Sequence, residues 1–96
     1  MSVFTAGRDY PVVSQETLTP SAIPAGNTSV ETFTPKSLTA IDNTYQVRVE
    51  GPSLPAGLRI VNSRMTSTQG QLEITFENFT LSTITPAAQS FNILVF

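Results

Sequence analysis

Residues 57–80 read GLRIVNSRMTSTQGQLEITFENFT, and this stretch decides the fold class. Two runs of strand character, 58–65 and 71–79, flank the polar turn Ser67-Thr68-Gln69-Gly70. In the second run Leu72, Ile74 and Phe76 recur at every other position, the period of a strand with one buried face. The parity then slips at Glu77-Asn78, because Phe79 and Leu81 carry odd numbers. One extra residue in a strand turns every later side chain to the opposite face. A β-bulge or strand end near Asn78 is therefore expected, placed so that Phe76 and Phe79 are both buried.

The same period extends on either side of this stretch. Tyr45, Val47 and Val49 alternate with Gln46, Arg48 and Glu50, which predicts a strand with the first set inward. Residues 29–34 (SVETFT) and 91–96 (FNILVF) read as two more strands. Between them lie turn regions. Residues 20–27 hold two prolines and a Gly-Asn pair that accepts positive φ, and residues 51–57 hold two prolines and two glycines. Asp42-Asn43-Thr44 reads as a turn in which a side chain bonds its own backbone. No stretch shows a helical period. The expected fold is all-β: a single small antiparallel β-sandwich, Ig-like or jelly-roll-like, over residues 19–96. Leu72, Ile74 and Phe76 should form one inward row against Tyr45, Val47, Val49 and Ile60.

Composition narrows the function. Ninety-six residues make one domain, and 40% apolar residues suffice for a core. Charged residues are scarce at 12%, while Ser and Thr number 24 and fill the polar positions, as on β surfaces. Five Lys/Arg against a net charge of −2 argue against a nucleic-acid partner. The longest purely apolar run is residues 93–96, so no membrane span is expected. The start, MSVFTAGRDY, has no basic region followed by an apolar one, so no secretory signal is expected. Without Cys the redox compartment stays open. The sequons at Asn27 and Asn78 are of the number that so much Ser and Thr produces by chance.

The residue inventory leaves little room for catalysis. There is no His, so neither a Ser-His-Asp triad nor a His-ligated zinc site can be built. The single lysine, Lys36, has Phe33 three residues before it, so the S-x-x-K spacing is absent. Glu73 and Glu77 share a strand face, but four residues of strand separate them by about 13 Å. Glycosidase carboxylates work at about 5–9.5 Å, so these two are read as a solvated face. Asp9, Asp42 and the five Glu are too scattered for a calcium site. No enzymatic function, cofactor or metal is expected.

Both termini break the alternating pattern. Residues 1–18 contain Pro11, Pro20 follows shortly after, and neither period is sustained there. They read as a first strand with a loose end or as an extended N-terminal arm. The arm reading makes Phe4, Tyr10, Val12 and Val13 anchors on a neighbouring subunit. At the other end Phe91, Ile93 and Val95 suit a core, yet the opposite face carries Leu94 and Phe96 beside Asn92. Large apolar residues there either tuck under the chain's own N-terminal segment or mark contact with another subunit, and the second is favoured.

From about residue 19 onward the chain resembles a small β module recurrent in virion structural proteins of tailed bacteriophages. The residues that carry the likeness are LTPSAIPAGNTSVETFT, YQVRVEGPSLPAGLRIVNSRMTSTQGQLEITFENFT and STITPAAQSFNILVF. Most specific are the GL-x-I strand, the x-L-x-I-T-F-x-N-x-T strand, the ITP turn and the short closing apolar strand. The resemblance covers roughly four-fifths of the chain, leaves residues 1–18 outside, and transfers no functional residues.

What it implies is a non-enzymatic virion component assembled in the host cytoplasm, foremost a capsid decoration (cement) protein. Its partners would be the major capsid protein or other virion proteins, and it would form a homo-oligomer, with a trimer favoured. The stand-alone length favours decoration over a fibre. A small tail, adaptor or head-fibre component is the alternative. A carbohydrate or host-surface binding module using loops such as 51–57 is the reading of a different class.

Overall fold

The computed structural model describes residues 12–96. Six strands follow in order: β1 (Val12–Leu18), β2 (Thr28–Phe33), β3 (Val47–Glu50), β4 (Leu58–Met65), β5 (Leu72–Asn78) and β6 (Gln89–Val95). One 3-10 turn, Lys36–Leu38, follows β2. The strands form two three-stranded antiparallel sheets, ordered β1-β6-β3 and β2-β5-β4. The fold is an all-β sandwich.

The core is the inward half of each alternation. Leu72, Ile74 and Phe76 of β5 are fully enclosed, and so are Phe91 and Ile93 of β6, with Val95 nearly so. The rings of Phe76 and Phe91 meet edge-on between the sheets at 6.3 Å, a favourable arrangement of ring quadrupoles. Val47 and Val49 are buried as expected, whereas Tyr45 and Ile60 pack on the core while only partly buried. Connecting segments complete it. Ile23 and Ile84 form an isolated backbone bridge with Ile23 fully buried, and Leu38 and Ile41 plug the far end. The N–H of Gly70, at φ +80°, donates to the Ile41 carbonyl at 2.8 Å and ties that plug to the β4–β5 turn.

Two expectations are corrected. Residues 12–18 are not part of a free arm, because β1 pairs with β6 along its whole length, from Val12 opposite Val95 to Leu18 opposite Gln89. The sheet needs them: β6 would otherwise present an unpaired edge above the core. The sandwich thus begins at residue 12 rather than 19. Residues 1–11 lie outside the described residues.

The second correction concerns the parity slip. β5 does not bulge; it ends at Asn78, which takes the fourth inward place after Leu72, Ile74 and Phe76. Phe79 is consequently 61% exposed rather than buried. The bulge sits on the partner strand β4, where Ile60 pairs with Phe76 and Asn62 with Thr75, leaving Val61 unpaired. Inward positions on β4 change there from Leu58 and Ile60 to Ser63 and Met65, the face change that one extra residue produces.

Candidate functional site

Cross-strand register builds the outer face of β1-β6-β3. Val13 lies opposite Leu94, which lies opposite Arg48. Gln15, Asn92 and Glu50 form the next row, and Gln15 Nε2 donates to Asn92 Oδ1 at 3.1 Å. Arg48 and Glu50, both well exposed, pair at 3.3 Å. Phe96 follows Leu94 on the same side, and its N–H donates to the Gln46 carbonyl at 2.9 Å. Directly opposed residues share a face, so Val13, Leu94 and Phe96 make one apolar strip on an otherwise polar sheet. Val13 is 60% exposed and Phe96 is 52% exposed, with Leu94 half-buried between them. Three of the six interface residues expected from sequence are thus brought together. Val12 pairs through its backbone with Val95, and Phe4 and Tyr10 lie outside the described residues.

The outer face of the other sheet is occupied by ion pairs. Arg59 meets Glu77 at 2.6 Å and Arg64 meets Glu73 at 2.7 Å, each directly across β4 and β5. Hydrogen bonding to Glu73, then its charge, raises the Arg64 pKa further above its ordinary value. Each glutamate is held by its own arginine. Thr44 lowers the Asp42 pKa by donating its hydroxyl and its backbone N–H to that carboxylate, the turn read from the sequence. Among the described residues no three His, Cys, Asp or Glu side chains gather in a metal-binding cluster. No described helix is long and apolar enough to cross a membrane.

Two further features escape a reading of the sequence alone. A groove of about 440 Å³ lies between the edges of β3 and β4, lined by Asn43, Tyr45, Gln46, Val47, Ser63, Arg64 and Met65. It exists because the sheets meet there without a ladder, joined by a hydrogen bond from Ser63 Oγ to the Val47 carbonyl. At the opposite end stands the turn after β5. Asn78 Nδ2 donates to the carbonyls of Ile23 (2.9 Å) and Ser82 (2.8 Å). Its Oδ1 accepts from the N–H (2.9 Å) and hydroxyl (2.7 Å) of Thr80. On this braced turn Leu81 is 100% exposed beside Phe79, over whose ring the Arg59 guanidinium sits at 5.7 Å. The Asn-x-Thr spacing was the available signal, since it favours such a side-chain-capped turn.

The chain matches no family model, no curated protein and no solved structure.

Proposed function

We propose that the protein is a non-enzymatic assembly module, a capsid decoration protein of a tailed bacteriophage that attaches to the major capsid protein as an oligomer. The observation that carries the assembly reading is the Val13–Leu94–Phe96 strip. An outward sheet face meeting water throughout has no reason to hold three large apolar side chains in one row. A stable protein–protein interface buries about 1,600 Å² in total, more than such a strip provides. The polar rows beside it, with Gln15, Asn92 and the Arg48–Glu50 pair, would form the rim.

The virion assignment rests on the resemblance, and the residues that carry it have structural work in this fold. Gly57 has φ +94°, and a Cβ there would collide with Thr80 Cγ2. Asn78 and Thr80 build the turn described above, and Ile84 of the ITP sequence bridges to Ile23. A module with this corner needs no reactive side chain to serve as a lattice part.

The test is co-sedimentation with empty shells assembled from a tailed-phage major capsid protein. Saturable uptake, abolished by Val13→Ser with Leu94→Ser in a variant that still melts cooperatively, is expected. Failure to bind shells, together with selective binding on a glycan array, would replace this reading with the carbohydrate-binding one.

A further inference from the structure

β1 forms an edge of its sheet and pairs, among the described residues, with β6 alone. On its inner side stand Ser14 and Glu16 in place of apolar residues. Both meet Ser37 of the 3-10 turn, hydroxyl to hydroxyl at 3.1 Å and carboxylate to N–H at 3.0 Å. Leu18 is the one described apolar side chain of this strand that is enclosed. Lifting β1 away therefore exposes little apolar surface of its own, while β6 is left with an unpaired edge seven residues long.

The chain is anchored again at Ile23, which is fully buried and exchanges backbone hydrogen bonds with Ile84. Between Leu18 and this anchor lies the link Thr19-Pro20-Ser21-Ala22, which forms no turn. Among the described residues the link has one hydrogen bond, from the Ser21 N–H to the Glu31 carboxylate at 2.7 Å. Pro20 lacks a donor and holds Thr19 extended, so the link acts as a strut. The corner where it leaves β1 is imperfect. Gln89, opposite Leu18, donates Nε2 to the Ala87 carbonyl at 3.0 Å, but its Oε1 is buried with no partner among the described residues. A buried acceptor without a donor disfavours the arrangement that encloses it.

We infer that copies of the chain exchange β1: Val12–Leu18 of one copy pairs with β6 of a second copy, and the link 19–22 bridges the two bodies. This rests on the reading of the protein as an assembly module, not on its place in a virion. The occupant of the β6 edge is on view in the fold, since the register within one chain is the register of the exchanged pair. The ladder and the bonds to Ser37 form again one for one in the partner, and only the link changes. In the exchanged form the link runs outward from its corner and opens Gln89 Oε1 to water. The five steps from Leu18 to Ile23 span at most about 17 Å, so the two bodies sit in contact. The apolar strip then has two sources, Val13 from one copy and Leu94 with Phe96 from the other. The attachment face is thus shared between two chains.

The chain has no cysteine of its own, and Gln15 faces Asn92 across β1 and β6. Gln15→Cys and Asn92→Cys, one carrying a mass tag, are mixed at high concentration and passed through urea at the unfolding midpoint. They are then returned to buffer and oxidised gently. The mixed disulfide should dominate over the two homodisulfides, and a random mixture of all three would overturn the inference. Thr17→Cys and Ser90→Cys, the next pair on that face, serve if the first pair disturbs folding. With Gln15→Cys and Asn92→Cys in the same chain, oxidation should give covalent oligomers on a denaturing gel. Internally bridged monomer alone, at every concentration, would overturn exchange as well. Gln89→Met removes the orphaned acceptor and should lower the oligomer yield severalfold, whereas an undiminished yield would overturn the part given to that corner. Shell uptake by the unmodified chain keeps the two readings apart. Uptake without a mixed disulfide rejects exchange and retains attachment, and the converse result rejects attachment and retains exchange.

Discussion

Asn78 is a polar residue in a fully buried strand position, and its side chain uses both amide protons and both acceptor directions. Replacing it removes four hydrogen bonds: the Thr80 N–H loses its acceptor, while the carbonyls of Ile23 and Ser82 keep only the Ile84 N–H and the Thr80 hydroxyl, and a polar group left unsatisfied in such a site costs about 1–3 kcal/mol. Asn78→Ala should destabilise the fold by about 2–4 kcal/mol in urea melts. A loss under about 0.5 kcal/mol would mean that water replaces the side chain at no cost. The same burial closes the sequon at Asn78 in the folded chain, since its amide nitrogen is enclosed and doubly engaged. Asp42 offers a second residue-scale test. Its carboxyl pKa is lowered by the Thr44 hydroxyl and backbone N–H. The stability this linkage supplies is present above the ordinary carboxylate range and is lost as pH falls through the depressed value. Asp42→Asn should therefore flatten the acid limb of the stability–pH curve and leave the profile above pH 6 unaltered in shape.

At the scale of the strand, β5 is central in its sheet and its inward row is sealed. Phe76→Ala should cost about 3–5 kcal/mol, the range for a large core deletion, and a urea-melt loss below about 1 kcal/mol would show that the row is not core. The edge strands follow a different rule. β1 places Ser14 and Glu16 on the side of Ile93 and Phe91, and β2 places Ser29 and Glu31 on the side of Phe76 and Ile74. The Ser37 N–H donates to Glu16 at 3.0 Å and the Ser21 N–H donates to Glu31 at 2.7 Å. Inward carboxylates of this kind blunt a sheet edge against pairing with another chain. They also hid β1 in the sequence, because a strand whose inner positions read Ser-x-Glu shows no apolar period. Deleting residues 1–18 should abolish the cooperative melt, since β6 then loses seven paired residues and the core loses Leu18. A truncated chain that still melts sharply would show that β1 is dispensable.

At the scale of the molecule, a single apolar cluster among the described residues spans both sheets, from Leu18 and Ile23 through Phe76 and Phe91 to Val95. Neither sheet has a core of its own, and three strands with one bare face are not stable in water. Thermal unfolding should accordingly be one transition with equal calorimetric and van't Hoff enthalpies. Two resolved transitions would mean that the sheets hold together separately.

The sequence by itself determined the β class, the inward rows of β3, β5 and β6, the turns at 42–44 and 67–70, and the shortage of reactive side chains. Each depends on alternation or on local backbone chemistry, and both are written along the chain. The tertiary structure alone decided that residues 12–18 are a strand, because β1 is recognised by its hydrogen-bonded partner, 77 positions away at the Gln15–Asn92 contact, and not by its own pattern. It also decided the meaning of the parity slip. A change of face looks the same in sequence whether a strand bulges or ends, and only the register against β4 shows that Val61 takes the bulge while Phe79 leaves the sheet. Leu94 and Phe96 stood out as apolar residues on the wrong face of β6. That they lie beside Val13 at one end, with Phe79 and Leu81 at the other, follows from how six strands are ordered, and side-chain period carries no record of that order.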